Sequence, residues 1–519
     1  MIPIRRYLQQ HTNPPVFLLS TALVLLFVGW GVVAPTQLGA VAERLMALIT
    51  TYFGWWYVLA VTGFLVFVLV LLVSPYAQLR IGPHDEPPDW STWGWFSMLF
   101  TAGMGIGLVF YGVAEPIFHF TQPPVETASA ADAAMRALQL TFFHWGVHPW
   151  AVYIVVGLSM GYFCFRQGLP LRPAAAFYPL IGRAIYGPIG HLVDILAVFG
   201  TLFGLATSLG LGAIQINAGL HAVFGVPMAA MWQVAIIAAI TAVAVASVMA
   251  GLDAGVRRLS VVNMFLAIAL AVLVFVMGPT LFVLEVLPSA TGQYLQHLPE
   301  RSLQTFALSE SGSAWIGNWT LFYWGWWIAW SPFVGMFIAR ISRGRSIRAF
   351  ILGCLLAPTG TSIVWFTIFG GTALHKMMQG GNTALAEAGT TDAMFVLLQQ
   401  LSMPDAVMTV AALLAVLVVA IFFATSSDSG SFVVDMLTNG GDPHPIWQQR
   451  LFWAVTEGAV AAILLVAGAT TAGNPLSALQ TASVTSGLPF SVVLVFMCWG
   501  LWRQLQRDGP PVTPSAAGR

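Results

Sequence analysis

Charge is what this sequence has least of. Asp, Glu, Lys and Arg make up 8% of its 519 residues, hydrophobic residues make up 58%, and the mean hydropathy is +0.81. A soluble domain carries about 25% charged residues, so the composition excludes one and reads as a polytopic membrane protein. The 20 basic and 20 acidic residues cancel, which leaves no single-sign field for a nucleic acid or an acidic partner. Cysteine is also scarce: Cys164, Cys354 and Cys498 stand apart in apolar surroundings. An odd number without a CxxC pair implies neither a disulfide framework nor a zinc site. Nucleotide-binding motifs, low-complexity tracts and an appended soluble domain are lacking, as is a cleavage signal. The first apolar run, Val16 to about Ala34, is long enough to be expected to stay in the membrane.

What is present is a series of apolar runs of roughly 20 residues, and we count about twelve spans. They are expected near 16–34, 54–73, 93–120, 138–163, 191–220, 228–250, 260–285, 313–339, 348–374, 404–436, 450–470 and 484–502. With both termini inside, 16 of the 20 basic residues fall in inside segments, and only Arg44, Arg136, Arg301 and Lys376 fall outside. That bias follows the positive-inside rule and supports both count and orientation. The outside loop 286–312 is polar and is expected to hold a surface amphipathic helix.

Aromatic residues concentrate in two places. Trp319, Trp324, Trp326, Trp327 and Trp330 lie within a dozen residues of one span. Helical spacing would put Trp324, Trp327 and Trp330 on one face. Clustered indole faces attract a cation that donates no hydrogen bond, such as a quaternary ammonium. The alternative is an interfacial aromatic belt. The second cluster, in His144-Trp-Gly-Val-His-Pro-Trp-Ala-Val-Tyr153, places Trp145, Trp150 and Tyr153 together and tips the reading toward a cage. Pro149 is expected to disturb the helix there. His144 and His148 sit at metal-pair spacing without a third ligand motif, so hydrogen bonding is the simpler role.

Two further stretches carry polar chemistry at membrane depth. Gly103-Met-Gly-Ile-Gly107 reads either as close helix packing through small residues or as a broken helix whose freed backbone binds ions and substrate. A dinucleotide fingerprint is excluded, because no strand accompanies it. Phe422-Phe-Ala-Thr-Ser-Ser-Asp-Ser-Gly-Ser431 offers hydroxyl and carbonyl oxygens that suit sodium. A hydrolase is excluded by the lack of a nearby His base or a GxSxG elbow. Glu115, Asp194, Asp253, Asp428, Asp435 and Glu457 lie within or at the ends of spans. For most of them, pairing with arginine or helix capping is the simpler account.

These residues resemble the betaine/carnitine/choline transporter family over nearly the whole chain. The matching stretches are Gly103-Met-Gly-Ile-Gly with Phe110-Tyr-Gly-Val-Ala-Glu-Pro116, His144-Trp with Trp150 and Tyr153, Ser208-Leu-Gly-Leu-Gly, and Tyr323 through Arg348. The resemblance implies an all-α polytopic fold of the leucine-transporter type, with a five-plus-five inverted-repeat core over spans 3–12. It divides the chain into an N-terminal part (1–92), a first repeat (93–285), the loop 286–312, a second repeat (313–502) and a short tail (503–519). It also implies a homotrimer in the bacterial inner membrane, with both termini cytoplasmic.

By motif position, the resemblance implies that Trp145, Trp150, Tyr153 and Trp327 box the ammonium group. Trp326 and Trp330 line the pathway, and Gly105 and Gly107 supply backbone. One sodium site would use Thr101, Met104, Phe422, Thr425 and Ser426, and a second would use Thr201 and Phe333. The hydroxyl expected one turn after Thr201 is Leu205 here. Choline-carrying members tend to have Asp at the position of Gly107, so glycine favours a zwitterion. Sodium-independent exchangers replace the sodium-site residues with Met or a basic side chain, unlike Thr425 and Ser426. The expected function is sodium-coupled symport of glycine betaine for osmoprotection, without covalent chemistry, enzyme activity or cofactor. The alternatives are a choline or carnitine carrier or exchanger and, from another class, an osmotically gated solute channel. The short ends argue against osmosensing through charged tails.

Overall fold

The computed structural model describes residues 8–510 apart from 9, 104, 251–252, 380–382, 445 and 472. Regular structure among these is helical, and one isolated bridge joins Arg80 to Ser346. The principal helices are α1 (Pro14–Val33), α2 (Pro35–Val73), α3 (Thr92–Gly103), α4 (Ile106–Thr121), α5 (Ala130–Trp145), α6 (Val147–Gly161), α7 (Pro188–Phe224) and α8 (Ala230–Ala250). They continue as α9 (Asp253–Met277), α10 (Thr280–Ser302), α11 (Glu310–Asn318), α12 (Thr320–Arg340), α13 (Ile347–Met378), α14 (Asp405–Thr438), α15 (Trp447–Thr471) and α16 (Leu476–Asp508).

Among the described residues, ten spans are long and apolar enough to cross a membrane. The other two expected spans differ for physical reasons. Span 3 is divided into α3 and α4, each too short alone. Span 8 is α12, whose many indoles score as nearly neutral in hydropathy although their rings are apolar.

Helix starts follow local chemistry. Proline stands in the first turn of α1, α2 and α7, where its missing N–H costs nothing. Ser129 and Ser346 cap α5 and α13, accepting from the backbone N–H of Asp132 and Ala349 at 3.2 Å each. Three boundaries depart from the sequence expectation. Helix α2 begins at Pro35 rather than near 54, because nothing in 35–53 breaks it. Helix α9 ends at Met277, short of 285, where Gly278 and Pro279 interrupt it. The next helix, α10, therefore starts at Thr280 rather than in the 286–312 loop.

The long helices α7 and α14 cross against each other, and α12 lies beside them. Close approach is made by glycine. A Cβ on Gly204 would stand 2.9 Å from Cδ1 of Trp330, and one on Gly487 would stand 2.7 Å from the carbonyl of Gly325. Gly430 packs against Leu205 in the same way. Helix α12 is thus held between α7 and α16 by small residues, which is how membrane helices gain packing without a hydrophobic driving force.

Candidate binding site

The site begins at a break. Helix α3 ends at Gly103 and α4 begins at Ile106, with Gly105 extended at φ −160° and ψ 177°. Of the two readings of the glycine run, the structure has the broken helix. The first N–H groups of α4 have no partner within the helix, and they carry the positive end of its dipole. Thr101 belongs to α3, but its side chain and all of Met104 lie outside the described residues.

A second break faces it. Helix α5 ends at Trp145 and α6 begins at Val147, with Gly146 at φ −91° and ψ −129°. This corrects the expectation about Pro149. The interruption is at Gly146, and Pro149 sits harmlessly in the first turn of α6. The N–H of Val147 donates to Oη of Tyr294, 3.1 Å away on α10.

Between the breaks lies a buried cavity of about 50 Å³. Gly105, Gly107, Trp145, Trp150, Tyr153, Trp326, Trp327 and Trp330 all line it. So do Ser426 and five positions that sequence reasoning did not single out for this cavity: Ile106, Leu108, Pro149, Ser208 and Ser362. Trp145 and Trp327 meet edge to face at 4.9 Å, Trp326 stacks on Trp327 at 4.7 Å, and Trp150 meets Tyr153 at 5.3 Å. The residues of α12 that face the cavity are 326, 327 and 330. Trp324 does not join them. It stacks on His148 at 5.2 Å, because successive three-residue steps drift off one helical face.

Polar atoms in the wall divide into two groups. The Trp327 Nε1 donates to the carbonyl of His144 at 3.0 Å, and the Trp145 Nε1 donates to Glu115 at 2.7 Å. By contrast, Nε1 of Trp326 and of Trp330 is buried with no acceptor among the described residues. Buried donors are nearly always paired, so these two are available to a ligand.

The described residues expected to hold sodium lie on α3, α7, α12 and α14. Ser426 reaches the cavity, while Thr425 Oγ1 donates back to the carbonyl of Ile421 at 2.8 Å, with that of Phe422 at 3.3 Å. Thr201 is buried on α7 and its hydroxyl has no partner among the described residues, and Phe333 packs on Trp330 at 5.3 Å. Leu205 turns toward Gly430 instead of offering an oxygen.

One part of the site was not read from sequence. Glu115 is fully buried, pairs with no arginine and caps no helix. Its Oε2 accepts from Trp145 Nε1 at 2.7 Å and from Tyr323 Oη at 2.5 Å. Its Oε1 meets His144 Nδ1 at 2.7 Å and His119 Nε2 at 3.1 Å. The other nitrogen of His144 is bonded to Thr320 Oγ1 at 3.0 Å, and His148 Nε2 to Ser302 Oγ at 3.0 Å. Glu115, His119 and His144 place ligand-type atoms within 4.8 Å of one another, and hydrogen bonds among them already occupy that arrangement. The i, i+4 spacing of Glu115 and His119 was the available signal.

An aromatic cavity at a discontinuous membrane helix is the arrangement of a secondary transporter. A family model described as BCCT, betaine/carnitine/choline family transporter, matches residues 15–510, and the chain belongs to that family. It is 43% identical over 499 residues to a glycine betaine transporter of Acinetobacter baylyi, covering 96% of this chain and 74% of that one. It is 42% identical to a probable glycine betaine transporter of Desulfitobacterium hafniense, covering 95% and 98%. It is 41% identical to the glycine betaine transporter OpuD of Bacillus subtilis, covering 95% and 94%. The protein is a transporter and not an enzyme.

Proposed function

We propose that the protein is a sodium-coupled symporter that imports a zwitterionic quaternary ammonium solute, glycine betaine first, by alternating access. The observation that carries this reading is the cavity itself. Indole and phenol faces of Trp145, Trp150, Tyr153 and Trp327 at one part of the wall suit a trimethylammonium group. The N-terminus of α4 and the unpaired Nε1 of Trp330 suit a carboxylate. A betaine carries both groups a few bonds apart. The names of the relatives above point the same way.

Sodium is expected near the break between α3 and α4, where α4 packs against α14. The backbone at Thr101 and Met104, the carbonyl of Phe422, and the hydroxyls of Thr425 and Ser426 would supply oxygen, the ligand type a hard cation requires. Thr201 and Phe333 would frame a second ion. The two inverted repeats are read from helix order: α7 and α14, of 37 and 34 residues, each stand third in their set of five. A homotrimer in the bacterial inner membrane, with cytoplasmic termini and a role in osmoprotection, completes the reading.

A choline or carnitine substrate is the second reading. A relative from Vibrio parahaemolyticus, 40% identical, is named a glycine betaine/proline/choline transporter. Gly107 favours the zwitterion, because no protein carboxylate stands there to balance choline's charge. Radiolabelled glycine betaine uptake into proteoliposomes, with and without a sodium gradient and against choline, carnitine and proline as competitors, tests both readings. Uptake that ignores sodium, or that choline abolishes while betaine does not, overturns the first.

A further inference from the structure

Glu115 stands behind the cage and not in it. Its carboxylate takes the N–H of Trp145 and the O–H of Tyr323 on one oxygen and faces His144 and His119 on the other. Among the described residues, no Arg or Lys nitrogen lies within 4.0 Å of it. A neutral amide could hold one indole and one phenol in place. A carboxylate at this depth whose basic neighbours are two buried imidazoles and no arginine or lysine is costly, so its charge calls for a use.

Of the rings it holds, Trp145 lines the cavity, and Tyr323 and His144 pack behind the cage. Trp145 lines the cavity with its ring and points its N–H away, at Glu115. Tyr323 stacks on Trp327 at 5.6 Å, and His144 stacks on Tyr323 at 4.8 Å while its carbonyl takes the N–H of Trp327. An indole that donates to an anion becomes a better cation acceptor, because cation–π attraction is electrostatic and grows with the negative character of the ring. The carboxylate is fully buried, so its field is weakly screened. Helix α4 therefore carries both poles of the site. Its N-terminus, positive, opens on the cavity at Gly105, and its Glu115, negative, lies beyond the cage.

We infer that Glu115 is the counter-charge of the aromatic cage, a specificity-determining residue that holds the substrate's cation through Trp145 and Tyr323 without touching it. The inference rests on the quaternary ammonium reading above. It makes the site a dipole that receives a zwitterion in one orientation.

The test separates charge from positioning. Wild type, Glu115→Gln and Glu115→Asp are purified and compared for tryptophan-fluorescence binding of glycine betaine and of 3,3-dimethylbutanoate, its uncharged-head carbon isostere. Elution volume and unfolding midpoint confirm folding. Glu115→Gln is expected to weaken betaine roughly tenfold and to leave the isostere within about twofold. Asp, shorter but charged, is expected to bind betaine more tightly than Gln. If both ligands weaken in parallel, or if the isosteric Gln outperforms Asp, Glu115 only positions the rings and the inference is wrong. Where the isostere binds no variant measurably, the ranking of Asp and Gln decides. Wild type that binds no quaternary ammonium compound is a different result and overturns the transport reading instead.

Discussion

Trp327 is the side chain on which most of the cage converges. It touches Trp145 edge to face, stacks on Trp326 and Tyr323, and anchors its N–H on the carbonyl of His144. A desolvated cation on an indole face contributes about 2 kcal/mol or more, so Trp327→Ala is expected to weaken betaine binding over tenfold. Trp327→Phe should retain part of the affinity, and fluorescence titration of the two variants measures both. Gly107 acts differently. A Cβ there would stand 2.6 Å from Cη2 of Trp145 and 2.8 Å from Cη2 of Trp326. Even Gly107→Ala must move a ring, and it is expected to weaken every substrate. Charge at this position is therefore read from Gly107→Asp against Gly107→Ala. Relative to Ala, Asp should admit choline and further weaken betaine, whose own carboxylate it repels. Competition assays that show no shift in preference between the two variants would remove the charge argument.

At the scale of elements, the site is two interrupted helices pressed together, and α10 clasps one of the interruptions. Tyr294 of α10 accepts the N–H that the break at Gly146 leaves without a helical partner, and Ser302 reaches His148. Tyr294→Phe leaves that part-buried N–H without its partner, a cost of about 1 kcal/mol, at the low end of the range for a fully buried group. A lower unfolding midpoint in detergent is expected, with a smaller loss of betaine affinity, and an unchanged midpoint would show the clasp to be idle. Much of this was legible beforehand. Apolar length gave the spans, and glycine spacing with clustered indoles gave the cavity wall. What sequence could not give was whatever depends on long-range partners. Pro149 looked like the helix breaker, but Gly146 is, because close approach of Tyr294 and the carbonyl of Phe142 leaves no room for a side chain there. Glu115 could not be told from the other span carboxylates because three of its four hydrogen-bond partners lie far away in sequence, on α5 and α12.

For the whole molecule, the question is whether two ligands share one conformational change. Ser426 lines the cavity from α14, next to Thr425, and the proposed sodium oxygens adjoin the same helix break that would face the substrate carboxylate. If both sites bias one equilibrium, sodium must tighten betaine by the same factor by which betaine tightens sodium. A factor of about 5–150 is the usual range for such coupling. Binding titrations at zero and saturating levels of the other ligand measure the two factors independently. Replacing both Thr425 and Ser426 with Ala removes oxygen from a hard-cation site. The double variant is expected to need much more sodium for half-maximal uptake and to lose most of the coupling, while betaine affinity at zero sodium stays near that of wild type. The aromatic rings are unchanged in this variant although Ser426 itself lines the cavity, so a fall in sodium-free betaine affinity would mean that the two residues shape the cavity and do not act through sodium alone. An unchanged sodium requirement would place the ion elsewhere. Uptake by the wild type must also saturate with betaine, since a binding cavity at a broken helix delivers one load per cycle, and a linear, unsaturable flux would mean a channel.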